Sequence, residues 1–151
     1  MSSGFRFVRA KPWADRQLVQ TFEGFEMRLP SIPASAQAAR EWVRLHLEAW
    51  NLHGLIGDAE LLVSELVTNV VRHVHEPMVL CFSRRGNTVR MDVGDPSPAE
   101  PVVRLPDPDR EGGRGVPLIA SVAARWGTVT HPGDGKTVWF ELDQHPQPDS
   151  T

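Results

Sequence analysis

The chain has 151 residues, 40% of them hydrophobic and 23% charged, with a net charge of -3. That is material for one domain with its own core, and its ordinary globular composition excludes a wholly disordered chain. One cysteine excludes an internal disulfide, and no run of apolar residues is long enough for a membrane span. The slight acid excess argues against nucleic acid as the main partner, because phosphate binding calls for a basic surplus. No apolar segment of signal-peptide length opens the chain, so a cytoplasmic location is expected.

Residues 1–20 lack periodicity and are expected to form a loose arm, and residues 144–151 (QHPQPDST) a fraying polar tail. The domain between them, residues 21–143, opens with a loosely alternating strand at Phe22–Leu29. Three- and four-residue spacing of Ala39, Trp42, Val43, Leu45, Ala49 and Trp50 predicts a helix over Ser35–Trp50, with Ser35 as its cap and Asn51–Gly54 as its stop. Asp58 is the expected cap of a second helix, running to about Val74 before Pro77. Two strands follow, Met78–Ser83 and Thr88–Val93, joined by a hairpin turn through Arg84–Asn87. Residues 94–114 are rich in proline and without apolar periodicity, a loop of the length that usually serves as a lid or binding loop. A short helix from Gly115 to Ala124 leads into strands Arg125–Thr130 and Thr137–Leu142. This order predicts an α+β fold, with helices on one face of a mixed, mostly antiparallel sheet.

Four features along this order carry candidate chemistry. On the second helix Leu62, Val63, Leu66, Val67, Val70, Val71 and Val74 fill one wide apolar arc, and Glu65 and Asn69 sit together at its margin. A carboxylate and an amide one turn apart offer hard oxygen ligands to magnesium, although such a pair is by itself more often a solvated helix edge. Asp95 ends a strand and can accept a hydrogen bond from a ligand amine; alone it reads better as a turn-forming Asp-Pro. Gly112, Gly113 and Gly115 flank Arg114 before a helix, where backbone N–H groups and the helix dipole favour an anion. Gly135, Lys136 and Thr137 tempt a phosphate-loop reading, but Thr130 stands where that motif needs glycine and a strand follows instead of a helix. Lys136 remains free to reach a phosphate and Thr137 to bond a ligand. His73, His75, Glu76 and Cys81 match no metal spacing, and Cys81 lies mid-strand, where burial makes a thiol inert. Trp42, Trp50, Trp126 and Trp139 are read as packing residues.

Taken in order, SELVTNVVRH, DVGDPSP, GGRGVPLI and GKTVWFEL resemble the motifs of the GHKL ATPase superfamily, which includes gyrase B, histidine kinases and MutL. The chain most resembles the stand-alone branch of anti-sigma-factor serine kinases, over roughly residues 22–142. The resemblance implies a two-layer Bergerat α/β sandwich binding ATP and Mg2+. It implies Glu65 as general base, Asn69 as the magnesium ligand and Asp95 as the reader of the adenine amino group. Gly113, Arg114 and Gly115 would form the phosphate-facing lid, and Gly135 and Thr137 the last motif, with Thr137 near the adenine–water network. A sigma factor and a small antagonist protein are the implied partners, with homodimerisation through the first strand. Pro96, Ser97 and Pro98 stand where the family usually has two glycines, which stiffens the loop, and Pro117 in the first turn of the short helix limits lid refolding. These 151 residues contain no recognisable phospho-accepting histidine domain, so for this chain alone the expected acceptor is another molecule. A non-catalytic ATP-dependent switch and a nucleotide-free interaction domain are the alternatives.

Overall fold

The computed structural model describes residues 23–97 and 115–145. The arm at 1–20, the loop after Ser97 with Gly113 and Arg114, and the tail after His145 lie outside the described residues. Five strands and three helices follow one another: β1 (Glu23–Leu29), α1 (Ala34–Ala49), α2 (Ile56–His73), β2 (Met78–Arg85), β3 (Thr88–Asp95), α3 (Gly115–Val122), β4 (Arg125–His131) and β5 (Gly135–Asp143). The strands form one sheet in the order β1-β2-β3-β5-β4. Every neighbouring pair is antiparallel, so the predicted α+β sandwich holds and no parallel pair occurs among the described strands.

Turn chemistry sets the register. Arg85 pairs with Thr88, leaving Gly86 and Asn87 as a two-residue hairpin loop. Gly86 takes φ 59, the left-handed conformation a tight hairpin demands of its first central residue. Alternation then sends Leu80, Phe82, Val89, Met91, Val93, Phe140 and Leu142 to one face, where they meet Val43 and Leu47 of α1, Leu62, Val63, Leu66 and Val67 of α2, and Ile119 of α3 in a single core. Trp42 and Trp126 pack at its margin and Trp50 is buried within it.

The helix ends differ from their sequence signals. Pro33 occupies the first cap position of α1 and makes no side-chain cap bond. The Ser35 hydroxyl instead donates to the Pro30 carbonyl at 2.5 Å, because the residue already lies inside the helix. At the other end Asn51 takes φ 59, and the N–H groups of Leu52 and Asn51 donate to the carbonyls of Leu47 (2.9 Å) and Glu48 (3.1 Å). This is a Schellman closure, with asparagine in the place glycine usually holds. α2 starts at Ile56, two residues before Asp58, so Asp58 complements the dipole from within the first turn and does not cap. Gln144, expected in the fraying tail, donates its N–H to the Asn87 carbonyl at 2.8 Å and ties the end of β5 to the hairpin.

The sheet's second face is unlike its first. Cys81, Ser83, Arg90 and Asp92 are wholly buried there. Arg90 Nε donates to Asp92 Oδ1 at 2.8 Å and its Nη1 to Glu141 Oε2 at 3.4 Å. Arg125 Nη2 donates to Asp143 Oδ1 at 2.6 Å, which also accepts from the Thr88 hydroxyl at 2.7 Å. The Trp139 ring lies 4.1 Å beneath the Arg90 guanidinium and across Gly127, whose missing side chain gives it room.

Candidate functional site

The end of β3 and the start of β5 form a tightly constrained polar corner. Asp95 pairs with Lys136 across the ladder. Its side chain lies on the core side of the sheet, in step with Val89, Met91 and Val93, and only 3% of it is exposed. Lys136 Nζ donates to Asp95 Oδ1 at 3.1 Å, and the Ser97 N–H donates to the same oxygen at 2.9 Å. Gly135 makes this approach possible. It takes φ 87, and a Cβ there would collide with the Asp95 carbonyl oxygen and stand 2.7 Å from the Pro96 Cα. No other residue type fits without moving one strand off the other.

Helix α2 crosses this face of the sheet and packs against β3 and α3. Glu65 and Asn69 are half-buried on it, one turn apart, at the edge of the buried arc of Leu62 and Leu66. A salt bridge and a hydrogen bond hold α2 against α1 on its other flank. Arg44 binds Glu60 in a fork at 3.0 and 3.1 Å, and Arg40 Nη1 donates to the Ser64 hydroxyl at 2.7 Å. The helix that carries Glu65 and Asn69 is therefore fixed on both sides.

The sequence-derived residues divide into three groups. Asp95, Gly135 and Lys136 come together at the β3–β5 corner, and Glu65 and Asn69 lie on the helix above that face. Gly113 and Arg114 fall outside the described residues, and Gly115 begins α3. Thr137, expected near the adenine–water network, does not share the face of Asp95. Strand alternation puts it on the face opposite Asp95, with its hydroxyl 3.0 Å from His131 Nε2. The β5 side chain that reaches Asp95 is Lys136, whose ammonium is turned onto the carboxylate. Parity could have located it, since Val138, Phe140 and Leu142 are core residues and 136 shares their face. Cys81 is buried, as expected of a mid-strand thiol. No cluster of metal-ligating His, Cys, Asp or Glu side chains occurs among the described residues.

The family model described as the histidine kinase-like ATPase domain matches residues 29–142. The chain belongs to the histidine kinase-like ATPase family. Its GHKL fold, the sheet with its covering helices, and ATP as the nucleotide of this domain follow from that membership. Among solved structures, it is similar to the crystal structure of the RsbU and RsbW domains of Rv1364c from Mycobacterium tuberculosis, at 19% identity and a TM-score of 0.61. That match covers 80% of this chain and 32% of the other, so the chain spans about a third of its neighbour's length and shares its fold. No curated protein matches the sequence. None of the described helices is long and apolar enough to cross a membrane.

Proposed function

We propose that this histidine kinase-like ATPase domain is an ATP-dependent protein serine/threonine kinase of the anti-sigma type, phosphorylating a small antagonist protein and holding a sigma factor in alternation. The carrying observation is the buried Asp95 carboxylate, fixed at the end of β3 on the face that α2 covers, with Glu65 and Asn69 one turn apart on that helix. A buried carboxylate held by donors on one oxygen is an acceptor suited to the 6-amino group of adenine. Asn69 supplies a hard oxygen of the kind magnesium takes alongside water and phosphate. A bound magnesium ion would offset the charge on the phosphate oxygens. The rest of the chemistry is positional. An acceptor hydroxyl oxygen bonds to the γ-phosphorus while the bond from that phosphorus to the β,γ-bridging oxygen breaks and ADP leaves. Glu65 takes the proton from the attacking hydroxyl. Gly113, Arg114 and Gly115 would close over the phosphates. Two copies would pair through β1, an edge strand on which Phe25 is 46% exposed.

A second reading, an ATP-dependent switch with little turnover, is favoured by one feature. Pro96 and the Ser97 N–H bond to Asp95 tie down the loop where the family usually has glycine. Labelled ATP and candidate antagonist proteins separate the two. Transfer to a serine or threonine that disappears in Glu65→Ala, with ATP binding retained, supports the kinase. ATP binding without transfer in the parent protein supports the switch.

A further inference from the structure

We infer that Lys136 is a positioning residue for base recognition: its ammonium aims the Asp95 carboxylate so that its second oxygen reads the purine 6-amino group. The inference rests on the proposed ATP site and adds a residue to it. Asp95 is almost wholly buried, and a buried carboxylate needs donors within the protein to replace water. The structure supplies one from directly across the ladder, where the Lys136 ammonium lies 3.1 Å from Oδ1 with 11% of its side chain exposed. The Ser97 N–H lands on the same oxygen at 2.9 Å. Both donors fall on Oδ1, which fixes the rotation of the carboxylate and leaves Oδ2 carrying neither bond. Gly135 holds the two strands close enough for a side chain at 136 to span the gap. The motif resemblance gave the neighbouring hydroxyl of Thr137 the place near the base; the register turns it to the other face and gives that place to an ammonium ion.

The test compares two nucleotides on two proteins by calorimetry. ATP carries the 6-amino group, and purine riboside 5′-triphosphate lacks it. The parent protein is expected to bind ATP about tenfold tighter than the analogue, the scale of a charge-assisted hydrogen bond. In Lys136→Met that preference is expected to vanish, with ATP weakened about tenfold and the analogue unchanged within about twofold. Retained affinity for the analogue shows in the same titration that the variant is folded. Lys136→Arg, which keeps a charged donor opposite Asp95, is expected to restore part of the preference. An unchanged preference in Lys136→Met overturns the inference and leaves the site standing. Equal loss of both nucleotides overturns it too, because the lysine would then serve only the fold. A parent protein that does not distinguish the two nucleotides overturns the assignment of Asp95 itself.

Discussion

Gly133 and Gly135 lie in and just after the β4–β5 turn, both at positive φ (79 and 87), yet their surroundings differ. A Cβ at 133 meets nothing within 4 Å, whereas at 135 it would collide with the Asp95 backbone. Gly133→Ala therefore costs only the left-handed strain, about 1 kcal/mol. Gly135→Ala costs the same strain plus an overpacking penalty of about 1–3 kcal/mol, and the obstacle is backbone, which cannot rotate aside. With about 2–4 °C per kcal/mol for a domain of this size, Gly133→Ala should lower Tm by about 2–4 °C and Gly135→Ala by about 4–16 °C. Relief of the collision separates the start of β5 from the end of β3, so Gly135→Ala should also weaken ATP binding at least tenfold while Gly133→Ala leaves it within about twofold. Thermal melts and calorimetric titrations of both variants read the two effects. Equal Tm shifts, or full ATP affinity in Gly135→Ala, would refute the claim that this glycine sets the corner.

Arg90→Met removes a buried charge between Asp92 and Glu141, both almost wholly buried, and should cost about 3–5 kcal/mol in a denaturant titration; a loss below about 1 kcal/mol would show that the pair is not what fills the second face. His46 is stacked on Phe25 at 4.2 Å and ringed by Trp42, Trp50 and Phe82, and burial lowers its pKa. The unfolded chain then takes up the proton first, so this contribution is full above about pH 6.5 and fades as the pH falls below it. His46→Phe should remove that part of the acid sensitivity in melts run from pH 8 to 5, and an unaltered profile would deny it. The Asp143 carboxyl is held below the usual carboxylate range by hydrogen bonds from Arg125 and then Thr88. Its contribution is present above about pH 4 and lost as the pH falls further, so Arg125→Ala should flatten the acid limb only in that lower window.

Much of the fold is legible from period alone. The apolar arc of α2 and the alternating runs of β2 and β3 locate the core, and Gly86 and Asn87 locate the hairpin. The second face is not legible, because Arg90 and Asp92 alternate with Val89, Met91 and Val93 as solvent-facing residues of a half-buried strand would. Their burial depends on partners brought from β5, far along the chain. Caps fail for a related reason. Ser35 and Asp58 have the chemistry of a cap, but Pro33 and Ile56 already allow helix, so both fall inside the first turn. At the site, the motifs single out Asp95 and Gly135, which meet at the β3–β5 corner, and Glu65 and Asn69, which lie on the helix packed against that sheet face. That Lys136 and not Thr137 faces Asp95 is not legible in the motif, which gives residue types in order, whereas strand parity says which side chain faces Asp95.

The central claim is that Asp95 anchors a nucleotide on the helix-covered face. Titration of ATP with magnesium into the parent protein and into Asp95→Asn tests it most directly. The account predicts saturable binding at one site per chain, weakened at least tenfold by the substitution. No saturable binding in the parent, or equal affinity in the variant, would contradict it.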